Sequence, residues 1–205
     1  MAAHARGFPC DGAGKAVPYG IDDLTAGAGR VPAGTGHDTA AFAVESIRRW
    51  WNAVGQRDDP RARRLLITAD AGGSSGYRTQ AWQAELAALV AETGLEVTVC
   101  HLPPGTSRWS KVEHRLFSSI TMNWQGRPLT GHEVIVQTIT AATAGTGPSV
   151  HAETDSGACD AGARISDAQT EALPLTRHQW HGDWNYTLGP GPLSLPTTDR
   201  ARLLG

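Results

Sequence analysis

Two acidic side chains have the type and the setting for divalent-metal chemistry. Asp70 ends the apolar segment Leu65–Ala69, and Glu113 lies in the segment Trp109–Phe117. Carboxylate oxygens are the ligands that Mg²⁺ prefers, and paired ions about 3.5–4 Å apart activate the attacking oxygen and stabilise the leaving oxygen in phosphodiester chemistry. Asp70 and Glu113 are therefore candidate catalytic metal ligands, if the fold brings them to one edge.

The chain around Asp70 predicts a strand–helix–strand unit. The strand ending at Asp70 is followed by a Gly/Ser loop, a helix, and a second strand, Leu95–Cys100. Strands joined in this way run parallel, and ligands bind beyond their carboxyl ends, where Asp70 and His101 lie. The continuous apolar run before Asp70 predicts burial on both faces. Four helix residues are predicted to face the core: Trp82, Leu86, Leu89 and Val90.

Glu113 falls within the apolar stripe of its predicted helix. That stripe consists of Trp109, Val112, Leu116 and Ile120. A carboxylate on a buried face is costly unless a cation compensates it. The alternative is a capping box, in which Glu113 bonds back to the helix start at Ser110. The Pro-Pro-Gly break at 103–105 favours a helix start at Thr106 or Ser107, and therefore the metal interpretation.

The flanking segments predict three regions. Residues 1–36 read as a flexible N-terminal arm with one short strand at Ala16–Ile21, where Pro18 argues against a central position. Residues 37–145 form the core, including a helix from Asp38, as N-cap, to Val54. Residues 146–205 read as a loop-rich C-terminal extension. A helix is also predicted at about 131–144.

Composition excludes several classes. The chain has 205 residues, a net charge of −2 and three cysteines. No CxxC pair, membrane-length apolar run or secretion signal is present, which predicts a cytoplasmic protein without a membrane partner. The near-neutral charge does not by itself indicate a nucleic-acid binder. Cys100 is predicted to pack in the core, in preference to a zinc site with His101 and His114.

Several motifs together resemble the Rhodopirellula-type transposase DDE domain. The resemblance covers about Phe8 to Leu188. The segments that carry it are Ile67–Ser74, Thr98–Ser107, Trp109–Phe117, His37–Ala40 with Ser46–Trp51, Met122–Leu129 and His181–Thr187. It implies an RNase H-like α/β fold with a mixed sheet and flanking helices, and an insertion-sequence transposase that cleaves and joins DNA with Mg²⁺ or Mn²⁺. Asp70 would be the second Asp of the triad and Glu113 its Glu.

The chain departs from that family at its start. In the family, the first Asp lies on a strand upstream of the segment matched by Ala16–Ile21, and no acidic residue here has that context. We therefore expect a partial RNase H-like sheet with the first catalytic strand missing. The expected protein is a truncated transposase, impaired or inactive in isolation. Its expected partners are transposon-end DNA and, when full length, further copies of itself.

Other interpretations stay open at this point. Arg108, Lys111 and Arg115 either contact DNA phosphates or form a solvated helix face. A remnant that only binds DNA or an intact protomer is the alternative function. A serine hydrolase is a less favoured one, in which Ser74 of Gly72–Gly76 would be the nucleophile and Asp155 and His178 its partners. Trp184 and Tyr186 are predicted to be core or docking aromatics rather than base-stacking platforms.

Overall fold

The computed structural model describes residues 2–5, 8–10, 14–34, 38–106, 109–124, 132–142, 149–155 and 165–191. The strands are β1 Ala2–Ala5, β2 Phe8–Cys10, β3 Gly14–Asp23, β4 Ala28–Gly34, β5 Arg64–Ala69, β6 Glu96–His101, β7 Ser149–Asp155, β8 Leu175–Arg177 and β9 Asn185–Leu188. The helices are α1 Ala40–Trp50, α2 Gln56–Asp58, α3 Gln80–Thr93, α4 Ser118–Trp124, α5 His132–Ala142 and α6 Asp167–Glu171. Two π-helical segments, Trp51–Gly55 and Glu113–Phe117, precede α2 and α4. Within the described ranges, no helix is long and apolar enough to cross a membrane.

The strands form a mixed sheet in the order β7-β4-β3-β1-β5-β6-β9-β8, with β2 paired beside β3. The β1–β5, β5–β6 and β4–β7 pairs are parallel, and the remaining pairs are antiparallel. The parallel β5–α3–β6 unit agrees with the sequence prediction. The α/β class with a mixed sheet and flanking helices is confirmed.

Strand β1 occupies the central position of the sheet. It pairs antiparallel with β3, His4 opposite Gly20, and parallel with β5, Ala3 opposite Ala69. None of its four residues is acidic. The sheet is therefore continuous at this position, although no strand carries a first aspartate there.

The N-terminal region differs from the predicted flexible arm. Residues 14–34 contain two long strands, β3 and β4, which pair as a hairpin. Pro18 lies in β3 even though that strand has neighbours on both sides. On the side of β1 and β2, pairing stops at Tyr19 and resumes at Ala16, so Pro18 falls in the gap between them. A missing N–H is tolerated there because no ladder hydrogen bond is required.

Each face of the sheet carries its own apolar cluster. The first packs α1 and α3 against β3, β5 and β6, and the predicted inward residues of α3 are all buried. The second packs the Glu113–Phe117 segment, α4 and α5 against β4 and β7. The prediction that β5 is buried on both faces was wrong, because the Leu66 side chain is 53% exposed. The second cluster covers β4 and β7 but includes no residue of β5.

Two helices begin at residues other than those predicted from the sequence. Thr39, rather than Asp38, is the N-cap of α1, and its hydroxyl accepts a hydrogen bond from the Phe42 N–H at 3.2 Å. The helix that carries Glu113 begins at Lys111 rather than at Thr106 or Ser107. Helix α5 lies within the predicted 131–144 segment, with Ile135 and Ile139 buried.

Two glycines allow the Glu113 helix to pack closely on the hairpin. A Cβ at Gly20 would lie 2.8 Å from both the Phe117 ring and the Val112 side chain. A Cβ at Gly29 would lie 2.5 Å from Leu116. The apolar side chains of the helix therefore rest directly on strand backbone.

We predict that Gly20→Ala destabilises the protein by about 1–3 kcal/mol, because the added methyl overpacks the contact with Val112 and Phe117. Urea denaturation followed by circular dichroism measures the effect. Gly72→Ala is the matched control, since no atom lies within 4 Å of a Cβ built there. Equal stability of the two variants would contradict the packing described above.

Candidate functional site

A cavity of about 700 Å³ opens beyond the carboxyl end of β5. Asp38, Asp70, the loop Ala71–Thr79 and the turn Pro103–Gly105 line it. This is the edge at which ligands bind in sheets containing parallel strands. Asp70 is only 8% exposed. The sequence prediction that Asp70 ends β5 beside a Gly/Ser loop therefore agrees with the structure.

The loop that follows Asp70 is held by its own backbone. The Gly76 N–H donates to the Gly73 carbonyl at 3.1 Å, and the Thr79 N–H donates to the Gly76 carbonyl at 3.0 Å. Gly73 has φ of 73°, a left-handed conformation that favours glycine. A Cβ at Gly76 would lie 3.0 Å from the Ala71 carbonyl oxygen. The loop therefore has a compact shape that these glycines permit.

Asp38 is a second carboxylate of the cavity, which the sequence prediction had assigned to the helix cap. Because Thr39 caps α1, Asp38 lies outside the helix and lines the cavity with Asp70. Both also act on Tyr19, whose side chain is fully buried. Burial raises the pKa of Tyr19 far above its ordinary value, the neighbouring Ser75 hydroxyl opposes this, and Asp38 and Asp70 add to it. The sequence signal that could have predicted this position of Asp38 was the His37–Asp38–Thr39 segment before the helix.

Glu113 is the first residue of a π-helical segment. The Ser118 N–H bonds to the Glu113 carbonyl, which defines the wide turn. Such turns are rare and are frequent at functional sites. Glu113 is half-buried, and its Oε1 is enclosed. Ser110 immediately precedes the helix, so its spacing to Glu113 also remains that of a capping box.

The apolar stripe predicted around Glu113 is only partly correct. Val112, Leu116 and Ile120 are fully buried, as expected. Trp109 is 61% exposed, because the helix begins two residues after it. Glu113 therefore lies at the border of the buried face.

The sheet register indicates that Asp70 and the start of the Glu113 helix lie at a similar level along the strand direction. Asp70 follows Ala69, which is opposite Ala3, and His4 is opposite Gly20 on the next strand. Val112, the neighbour of Glu113, packs over Gly20. Asp70 and the start of the Glu113 helix are thus separated laterally by two strand spacings, about 10 Å.

Glu113 does not line the Asp70 cavity. Nor do the described residues contain a group of three or more His, Cys, Asp or Glu side chains placed to hold a metal ion. The carboxylates that share the cavity are Asp38 and Asp70. The pairing of Asp70 with Glu113 stays a prediction.

Two basic residues near Glu113, Lys111 and Arg115, act on a buried carboxylate in β3. Arg115 Nε lies 3.4 Å from Asp22 Oδ2, and the Asp22 side chain is fully buried. Burial raises the pKa of Asp22, while Arg115 and Lys111 lower it. Lys111 is exposed, and Arg108 lies outside the described residues. Arg115 thus has a structural partner in β3 in addition to its predicted role at DNA.

His101 connects the Asp70 loop to the C-terminal turn. Its Nδ1 lies 2.8 Å from the Trp184 carbonyl oxygen, and its Nε2 lies 2.8 Å from the Ser75 carbonyl oxygen. Burial lowers the pKa of His101, whereas these two carbonyls and Asp70 raise it. A neutral imidazole has one N–H, so it donates to one of the two carbonyls at a time.

The zinc interpretation does not fit this geometry. Both His101 nitrogens face backbone carbonyls, and His114 is exposed on another element. Cys100 is half-buried, whereas its neighbours Val99 and His101 are buried. The prediction that Cys100 packs in the core was therefore wrong. Side chains alternate along β6, and the buried face is the one that carries Val99 and His101.

The serine hydrolase interpretation is wrong. Ser74 is in the loop after β5, Asp155 ends β7, and His178 follows β8. Strands β7 and β8 lie at opposite ends of the sheet, roughly 30 Å apart at the usual strand spacing. His178 Nε2 instead lies 2.9 Å from the Thr187 hydroxyl. These residues cannot form a triad.

The α/β fold with Asp70 at the end of β5 agrees with the family comparison. The family model of the Rhodopirellula transposase DDE domain matches residues 1–190. The chain belongs to this transposase family. No curated protein and no solved structure matches it.

We predict that Asp22→Asn stabilises the protein at neutral pH. A raised folded-state pKa means that the native state binds the proton more tightly than the unfolded chain. That contribution is present below the unfolded pKa and is lost as pH rises through the folded one. Asparagine keeps the uncharged form at every pH. Its advantage in urea midpoint should therefore be largest at pH 7 and shrink towards pH 4.

Arg115→Met is the matched comparison for this prediction. It leaves the buried Asp22 carboxylate without its ion-pair partner, so the midpoint at pH 7 should fall. The double variant should recover most of that loss. A lower midpoint for Asp22→Asn at pH 7 would show that the charged form stabilises the fold.

Proposed function

We propose that this chain acts as an insertion-sequence transposase domain that cleaves and transfers DNA strands with divalent metal held by Asp70 and Glu113. Family membership supports transposition as the process. The observation that supports the site is the sheet register, from which Asp70 and the start of the Glu113 helix lie at a similar level along the strands, two strand spacings apart.

The donor set suits Mg²⁺ or Mn²⁺. Asp70 is nearly buried, and Glu113 has one enclosed carboxylate oxygen. Buried carboxylates are stabilised by a cation, and hard oxygen donors match these ions, with Mg²⁺–oxygen distances of about 2.1 Å. When bound, the metal would supply charge stabilisation for the attacking and leaving oxygens of a phosphodiester. Asp70 and Glu113 would hold it at the sheet edge.

Positively charged residues on the same helix would position the DNA. Lys111 is exposed, Arg115 is about one-third exposed, and Arg108 precedes them in sequence. Phosphate contacts of this type fix register on DNA without reading sequence, and they weaken as salt rises. In this proposal Asp22 orients the Arg115 side chain, which is partly exposed.

The alternative is a domain that binds DNA or a second protomer without catalysis. It is favoured by β1, whose residue in register with Gly20 is His4 rather than an acid. A gel-shift titration with terminal inverted repeats, at stated salt concentrations, tests binding separately from cleavage. Binding without metal-dependent nicking would support this alternative.

For the metal site, we predict that Asp70→Asn and Glu113→Gln each weaken Mn²⁺ binding at least about tenfold, because each removes a charged oxygen ligand. Isothermal titration calorimetry measures this, and nicking of an inverted-repeat substrate should be lost in parallel. Glu171→Gln is the matched control, since Glu171 is exposed on α6. Unchanged Mn²⁺ affinity in Glu113→Gln would leave Glu113 as a helix-capping residue.

A gain-of-function variant tests the role of β1. Position 4 is in register with Gly20, beneath the Glu113 helix, and lies one residue beyond the pair of Ala3 with Ala69. His4→Asp should therefore add a third carboxylate, raise Mn²⁺ affinity about tenfold or more and increase nicking. His4→Asn controls for the loss of histidine. If the gain persists when Glu113→Gln is added, the new carboxylate acts at another site.

A further inference from the structure

The turn between β8 and β9 presents an exposed tryptophan that no packing requirement explains. Trp180 is 76% exposed, more than any other large apolar side chain in the described residues. Exposed aromatic rings of this size are common at binding surfaces, where they bury a large area at low entropic cost. The surrounding geometry determines what kind of partner this ring fits.

The turn is rigid, and one residue in it is strained. The Arg177 guanidinium donates to the Gly182 carbonyl at 3.0 Å, and the Asn185 amide donates to the Trp180 carbonyl at 3.0 Å. His181 has φ of 48°, the one positive value at a non-glycine residue among those described. Strain of this kind persists where the surrounding structure imposes it and is concentrated at functional sites. The turn therefore constrains the backbone that carries Trp180.

A line of rings runs from Trp180 to the Asp70 cavity. Trp180 meets His181 edge to face at 4.7 Å, and His181 stacks on Trp184 at 5.2 Å with an interplanar angle of 16°. Trp184 lies 5.8 Å from Tyr77, which lines the cavity with Asp70. The line thus joins an exposed ring to the site where DNA strands would be processed.

A cation lies at the cavity end of this line. The exposed Arg78 guanidinium sits 5.1 Å from the centre of the Tyr77 ring and also lines the cavity. Aromatic rings beside a guanidinium are the combination that binds single-stranded nucleic acid, with bases on the rings and phosphate near the cation. A peptide partner would not require this arrangement next to a carboxylate-lined cavity.

We propose that Trp180, supported by His181 and Trp184, is a stacking platform for an unpaired base of a single DNA strand, whose backbone continues past Arg78 towards Asp70. The proposal rests on the proposed function for the choice of DNA. It departs from the sequence prediction that Trp184 is a core or docking aromatic, whereas Tyr186, predicted in the same way, is fully buried in the core.

The test measures binding without catalysis. Fluorescence anisotropy with a labelled oligothymidylate of about 12 nucleotides, in EDTA, reports single-strand affinity. Trp180→Ala should weaken it about tenfold, the loss expected for one base stack, while affinity for a duplex of equal length changes less than about twofold. Trp180→Phe should retain most of the affinity. Because Trp180 is exposed, thermal unfolding should be unchanged.

A second probe reports stacking itself. A single 2-aminopurine in the oligonucleotide should lose fluorescence on binding to the wild-type protein, and this quenching should be absent in Trp180→Ala. Met122→Ala is the matched control, since Met122 is 66% exposed on α4. Unchanged single-strand affinity in Trp180→Ala, or an equal loss for duplex or in Met122→Ala, would overturn the proposal.

The result is separable from that of the metal site. Asp70→Asn should keep the quenching in EDTA, because no metal takes part in it. Quenching that depends on Trp180, together with absent nicking, would support the platform and reject catalysis. Nicking by Trp180→Ala at the wild-type rate, with unaltered quenching, would reject the platform alone.

Discussion

The site depends on the close contact between the Glu113 helix and the backbone of β3. Gly20 of β3 and the neighbouring Gly29 of β4 carry no side chain at the points of contact, so Val112, Phe117 and Leu116 rest on strand backbone. That contact sets the height of the helix start relative to the sheet. Strand β1 then sets the lateral distance to Asp70, because it pairs with β3 on one side and β5 on the other.

The two faces of the sheet supply different parts of the proposed site. The face covered by α1 and α3 carries Tyr19 and His101, and the Asp70 carboxylate contributes to raising the pKa of each. The face covered by the Glu113 helix carries Asp22 and Arg115. Asp70, at the end of β5, therefore has an electrostatic effect on both titratable groups of the first face.

His101 connects the cavity to the turn between β8 and β9. Its ring lies between the Ser75 carbonyl, in the loop after Asp70, and the Trp184 carbonyl, in the turn after β8. The His101 ring therefore links the loop beside the proposed metal edge to the turn that carries the proposed stacking platform. The C-terminal strands, which the sequence indicated only as an extension rich in loops, thus complete the edge of the sheet next to the cavity.

Much of the local structure could be predicted from the sequence, because it depends on periodicity and on short-range signals. The apolar face of α3, the left-handed Gly94 that ends it, and the parallel β5–α3–β6 unit follow from spacing and glycine placement. Asp70 at a strand end was predictable for the same reason. The family motifs added the expected class of fold.

The tertiary structure decided what depends on contacts distant in sequence. The sequence could not show that Ala2–Ala5 would fill the centre of the sheet, because three alanines and one histidine carry no strand pattern of their own. The sequence predicted Asp38 as the helix N-cap, but Thr39 has that role. It also predicted that Trp109 lies on the buried face of its helix, but Trp109 precedes the helix and is exposed. Residue types and spacing determined which carboxylates could bind metal. Strand pairing and packing on glycine decided where they stand, because those forces act between segments that the chain order does not place together.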